Sequence, residues 1–244
     1  MELTLFFAVV TVMFAYFVKS ATGFGPALIM IPIFSILFNP RQAIVLSTLF
    51  DSVAGLILLA TIYKKVNWPF IIPVTLFLNA GIYLGASLMV SIPSSFLFLL
   101  IGAILFVFSL FIFFSKNTGI GHAKHKTHWG SFVALFSGFL GGLTGISGPL
   151  LVSYFKLSFD KKIFRDSLIA VFAFAAVWRL AVYFYFEIPW EITGLQLGLF
   201  LIAMLVGLFL GKMFNQRVNE LTFNKIVAII LLVPAFNMLL HNVS

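Results

Sequence analysis

Long apolar runs, separated by short breaks that carry polar residues, glycine or proline, divide this chain. The runs occupy residues 3–18, 26–38, 42–62, 68–90, 96–114, 131–143, 148–158, 166–186, 192–211 and 222–240. The breaks fall at 19–25, 39–41, 63–67, 91–95, 115–130, 144–147, 159–165, 187–191 and 212–221. Runs such as LFLLIGAILFVFSLFIFF show no alternation of polar and apolar positions, so the strands of a membrane barrel are excluded. A helix needs ~20 apolar residues to cross the hydrocarbon, and most of the runs approach that length. The pattern predicts an all-α polytopic membrane protein of ten hydrophobic segments.

Composition agrees and removes other classes. Of 244 residues, 62% are hydrophobic and 9% charged, whereas soluble domains carry about 25% charge. Nothing is left over for a soluble enzyme domain. A net charge of +8 would suggest nucleic acid as the partner of a soluble protein, but here the bases collect in the connections. When connections are assigned to alternate faces, Lys64, Lys65, Lys116, Lys124, Lys126, Lys161, Lys162, Lys212 and Arg217 share one face with Lys19, Lys156, Arg165 and Lys225, and the other face receives Arg41. The enrichment of bases in cytoplasmic loops makes the first face cytoplasmic and both termini extracytoplasmic, in the cell (plasma) membrane. The partners expected are therefore the lipid bilayer and a small solute, with no nucleic acid. Trp68 and Trp190 suit interfacial anchors. Cysteine is absent, which excludes disulfides and thiolate metal sites. The acidic start at Met1 and Glu2 lacks the basic region of a cleavable signal peptide.

The chain also repeats itself. Thr22-Gly23-Phe24-Gly25-Pro26 returns as Thr144-Gly145-Ile146-Ser147-Gly148-Pro149, Phe38 to Arg41 is echoed by Phe159 to Lys162, Val66-Asn67-Trp68 by Ile188-Pro189-Trp190, and Gly81/Gly85 by Gly207/Gly211. The offsets lie between 121 and 126 residues, half the chain. Two transmembrane repeats follow, residues 1–115 and 131–244, joined by a basic cytoplasmic linker at 116–130. Each holds five segments, an odd number, so the second enters from the opposite face. That is the inverted-repeat plan of many secondary transporters.

Each repeat is expected to open with short broken or re-entrant helices. Glycine permits a sharp turn, and the proline after it suits the first turn of a helix. Irregular backbone at membrane depth is tolerated only inside protein or beside a watery cavity. The two breaks are expected to meet near the midplane, each aiming the N-terminus of the next helix at one anion. This makes Thr22, Gly23, Gly25, Thr144, Gly145, Ser147 and Gly148 substrate-binding candidates, with Lys19 beside the first break. Close helix packing is the competing explanation for these glycines, and the expected one for Gly81/Gly85 and Gly207/Gly211, whose spacing is GxxxG.

Two charges cannot be placed in connections. At 1.5 Å per residue, Asp51 and Arg179 lie ~14 and ~12 Å below the external ends of their helices, depths that match. A charge there costs ~2.5 to 3.5 kcal/mol and demands a partner or water. They form either a structural ion pair or a functional set in which Arg179 binds the anion and Asp51 tunes it or takes a coupling proton, with Lys19 as a further coupling or gating group. His122, His125 and His128 stand three apart with Lys124 and Lys126; three histidines could bind zinc, but a solvated basic loop between the halves is the expected reading. Ser47, Thr48, Ser52, Asn79, Ser153 and Ser167 line a path or bond to the preceding turn of their own helices. No cysteine, HExxH motif or membrane-embedded histidine offers intramembrane catalysis, and no cofactor or metal is expected.

With those residues in view, ATGFGPALIMIPIFSILFNPRQAIVLSTLFDSVAGL, YKKVNW and GIYLGASL resemble the first half of the TauE/SafE family of sulfite exporters, also called TSUP. GFLGGLTGISGPLLVSYFKLSFDKKIFRDSLIAVFAFAAVWRLAVYF is similar to the second, including Phe164-Arg165 and the Arg-x-x-x-Tyr of Arg179 and Tyr183. The chain departs from the family pattern at Ser147, where glycine is usual, and at Lys19 and Asp51, where small or polar residues are expected. The resemblance implies a plasma-membrane permease for small sulfur-containing anions such as sulfite, thiosulfate or sulfonates, driven by a proton or sodium gradient. A small carboxylate as substrate, and an anion channel, are the alternatives.

Overall fold

The computed structural model describes residues 2–22, 25–114, 127–158, 161–214 and 220–240. Among them are ten α-helices and no strand: α1 Glu2–Thr22, α2 Pro26–Leu37, α3 Pro40–Ile62, α4 Trp68–Ser91, α5 Ser94–Phe114, α6 Thr127–Thr144, α7 Gly148–Ser158, α8 Lys161–Tyr185, α9 Gly194–Phe214 and α10 Glu220–Leu240. Helix starts are set by local chemistry. Asn39 accepts the N–H of Gln42 at 2.8 Å ahead of α3. Before α9, Thr193 and Gln196 exchange side-chain bonds to each other's backbone N–H groups, at 3.3 and 3.0 Å, a reciprocal cap. By length and composition, five described stretches can cross a bilayer: Leu3–Ser20, Pro40–Lys65, Trp68–Ser91, Arg165–Tyr185 and Gly194–Met213. The protein is all-helical and multi-pass.

The helices run further than the polar residues suggested. α1 has 21 residues and α6 has 18, so the first helix of each series is not short; the short ones are α2, with 12, and α7, with 11. Lys19 consequently lies in the last turn of α1 rather than in a connection. A cation there complements the negative end of the helix dipole, which is why the helix does not stop before it. Lys161, Lys162 and Arg165 likewise belong to the start of α8. The linker residues 116–126, with His122 and His125, lie outside the described residues, and His128 falls within α6.

The chain forms two compact units, each drawing helices from both halves of the sequence. One comprises Met1–Ser47, Ile92–Thr118 and Pro189–Ser244. In it α1 packs along α9, α5 along α10, and α2 against both α1 and α10. A methyl group at Gly207 or Gly211 would strike the carbonyl of Met13 or Phe17. The Ser109 hydroxyl donates to the carbonyl of Ala228 at 3.0 Å, and Arg41 donates to the carbonyl of Ile92, just ahead of α5, at 2.6 Å.

The second unit comprises Thr48–Ser91 and Gly119–Ile188, with α4 packed along α6 and against α8, and α7 against α6 and α8. Its seam is a reciprocal set of glycines: Gly81 and Gly85 admit the carbonyls of Leu135 and Phe139, and Gly138 and Gly142 admit those of Leu78 and Ile82. Lipid gives apolar helices no hydrophobic reason to associate, so close backbone approach supplies the attraction. The two GxxxG pairs thus pack helices, as their spacing implied.

Candidate anion site at the helix breaks

Gly145, at φ 78, ends α6 in the left-handed region that glycine adopts without strain. Its N–H donates to the carbonyl of Gly141 at 2.9 Å. The Thr144 hydroxyl donates back to the Leu140 carbonyl at 2.8 Å and accepts the N–H of Ile146 at 3.4 Å. Ser137, on the same helix, donates its hydroxyl to the carbonyl of Ser147. The turn is therefore folded back on the last turns of α6, and Gly141 leaves the space that the Ser147 side chain fills. Thr144, Gly145, Ile146 and Ser147 are all buried. α7 starts immediately afterwards, at Gly148.

A cation from α8 fastens this helix end. Arg179, only 3% exposed, donates Nη1 to the carbonyl of Gly145 at 2.8 Å and, more weakly, to that of Gly141 at 3.4 Å. Its Nη2 stands 3.7 Å from Oδ2 of Asp51. Tyr183, one turn along α8, donates its hydroxyl to the carbonyl of Gly142 at 2.8 Å and lies 3.3 Å from that of Gly141. The last carbonyls of a helix lack intrahelical donors and carry its partial negative charge, so a guanidinium and a phenol are apt partners. The matching depths expected for Asp51 and Arg179 are realised as a direct ion pair. The guanidinium differs from the expected freely presented fork, because helix-end carbonyls take Nη1. Nε, shut off from solvent, has no hydrogen-bond partner among the described residues.

The other unit holds the other break. α1 ends at Thr22, with Lys19 and Ser20 both 2% exposed in its last turn. Gly23 lies outside the described residues. Gly25, at φ 106, is the N-cap of α2 and makes no side-chain cap, and Pro26 follows at the first helical position. The first bond of the new helix runs from the N–H of Leu28 to the carbonyl of Gly25 at 3.1 Å. Neither α2 nor α7 has an acidic residue in its first turn. Their positive ends are thus not neutralised by carboxylates of their own, the condition under which such an end attracts an anion.

Of the predicted site residues, Thr144, Gly145, Ser147, Gly148, Asp51 and Arg179 lie in one unit, and Lys19, Thr22 and Gly25 in the other. The Ser52 hydroxyl donates to its own helix, at the Thr48 carbonyl, 2.7 Å away. Ser47 and Ser167, both buried, keep hydroxyls without a hydrogen-bond partner among the described residues. The parts of Ser137, Gly141 and Gly142 were not anticipated, and Tyr183 was noticed only as a motif residue. Their one sequence signal is the spacing Ser137-x9-Ser147 around a glycine pair.

The sequence model of the family described as Sulfite exporter TauE/SafE matches residues 8–238. No curated protein and no solved structure matches the chain.

Proposed function

The chain belongs to the sulfite exporter TauE/SafE family, a family of membrane permeases, and we propose that it moves a small sulfur-containing anion such as sulfite, thiosulfate or a sulfonate by alternating access. In this reading an anion is held by backbone N–H groups at the start of a short helix that follows a break. Arg179 and Asp51 keep the α6 break in shape, and the electrostatic pull of Arg179 adds to that of the helix end. The protein sits in the plasma membrane with both termini extracytoplasmic, and the two halves are inverted repeats.

One observation carries the proposal: a Gly-to-Gly-Pro sequence occurs twice, each time ahead of a short apolar helix whose first turn lacks a carboxylate. Packing explains glycine in such places but not a helix start inside an apolar stretch. The repeat is supported by the matching seams, since Gly81 and Gly85 of α4 meet α6 as Gly207 and Gly211 of α9 meet α1.

A thermal-shift screen of the purified protein against sulfite, thiosulfate, sulfonates and small carboxylates tests the proposal. Flux into proteoliposomes under imposed proton or sodium gradients follows for each hit. The expected result is stabilisation by a sulfur-containing anion that is lost in a folded Gly148→Leu variant, together with saturable, gradient-dependent flux. Indifference to all the anions, or stabilisation by carboxylates alone, overturns it.

A further inference from the structure

We propose, on the footing of the function above, that the Nε–Nη2 edge of Arg179 grips two oxygens of the transported oxyanion, and that Asp51 takes up one proton as the anion displaces it. A guanidinium presents two forks of parallel donors, one between its terminal nitrogens and one between Nε and Nη2. In Arg179, Nη1 is spent on the carbonyls of Gly145 and Gly141, at 2.8 and 3.4 Å. The Nε–Nη2 fork is nearly idle. Nε, shut off from solvent, has no hydrogen-bond partner among the described residues. Nη2 faces Asp51 Oδ2 at 3.7 Å, beyond the reach of a hydrogen bond. One carboxylate oxygen thus stands loosely where a bidentate ligand would set two oxygens at about 2.7–2.9 Å.

Arg179 is 3% exposed, and a buried charged donor without an acceptor is costly. Sulfite, thiosulfate and sulfonates each carry at least two oxygens on one sulfur, the pattern this fork fits. α7 starts three residues beyond Gly145 with no acid in its first turn, a second attraction for negative charge. A group closed to water is reached through a conformational step, which alternating access supplies. Charge balance gives the coupling. Arg179 and Asp51 together are neutral, so a monovalent anion leaves a net negative charge at a depth where charge is expensive. One proton on Asp51 restores neutrality. Few other groups in this unit compete for it. Tyr183, one turn along α8, is spent on the Gly142 carbonyl. α4 carries no charged residue, and α6 and α7 have no titratable one from Gly141 to Leu151.

Calorimetric titration of the purified full chain with methanesulfonate and with thiosulfate, whose own charges are constant around neutral pH, tests this in buffers of differing ionisation heat. The expected result is uptake of about one proton per anion, with affinity falling about tenfold per unit rise in pH. Asp51→Asn is expected to abolish the uptake and make affinity independent of pH, at least tenfold above the native value at the alkaline end. Arg179→Lys keeps the charge but loses the fork, and is expected to weaken binding at least tenfold. Should Asp51→Asn fail to fold, the proton count of the native protein decides alone. Anion binding without proton uptake leaves the transport reading standing and overturns the coupling. Native affinity in a folded Arg179→Lys overturns the fork. Binding of neither anion removes the transport reading for these substrates and this inference with it.

Discussion

Nη1 of Arg179 stands 2.8 Å from the carbonyl oxygen of Gly145, the residue whose positive φ ends α6. The most expensive side chain at membrane depth is thus fastened to a helix end, with Asp51 facing its other nitrogen at 3.7 Å. Under the proposed function, site and architecture share this one group, and substitutions must be read with both in mind.

Arg179→Ala withdraws the donors from Gly141 and Gly145 and the counter-charge from Asp51. Removing one partner of a buried pair costs about 3–5 kcal/mol. The expected sign is a large fall in the thermal midpoint of the purified protein. Asp51→Asn in that background should recover part of the loss, giving a coupling of about 1–3 kcal/mol in a double-mutant cycle. Additive losses would show that the pair acts independently.

Gly81→Ala drives a methyl group into the Leu135 carbonyl, whereas Gly198 has nothing within 4 Å of the same position. Overpacking against backbone costs about 1–3 kcal/mol, while alanine in an open helical site gains about 0.5–1 kcal/mol over glycine. The two substitutions should move the melting midpoint in opposite directions.

Gly25→Ala separates backbone strain from crowding. Its nearest non-neighbouring atom is Cγ1 of Val18 at an ordinary 3.6 Å, yet φ is 106. Left-handed backbone costs an alanine about 1–2 kcal/mol. Stability should fall by that amount, and anion-induced stabilisation should weaken with it as the start of α2 shifts.

Ser137→Ala and Tyr183→Phe each orphan a buried carbonyl, at about 1–3 kcal/mol. Ser137 secures Ser147, next to the start of α7, and Tyr183 secures Gly142, further back in α6. Ser137→Ala is expected to raise the KM for transport several-fold with Vmax little changed. Tyr183→Phe should lower stability with a smaller effect on KM.

The break at Gly145, the short α2 and α7, the packing of Gly81/Gly85 and Gly207/Gly211, and the buried Asp51 and Arg179 were legible in the sequence, because each departs from the surrounding apolar pattern in residue type. What was not legible is where Arg179 and Tyr183 bond. Their acceptors are main-chain carbonyls 34 to 42 residues away, and every residue has a carbonyl, so no residue type marks the acceptor. The helix ends were misjudged for a related reason. Lys19 reads as polar punctuation, but the negative end of α1 and a buried setting retain it inside the helix.

The four glycines between α4 and α6 have a mechanical consequence. Because Gly81 and Gly85 meet α6 backbone while Gly138 and Gly142 meet α4 backbone, a slip of one turn, about 5.4 Å, would bring bulkier residues such as Leu78 and Leu135 into places that accept no Cβ. The two helices have one register and no neighbouring one to ratchet into. They form a fixed rail, so any displacement that opens the break at Gly145 must be carried by α7 or α8.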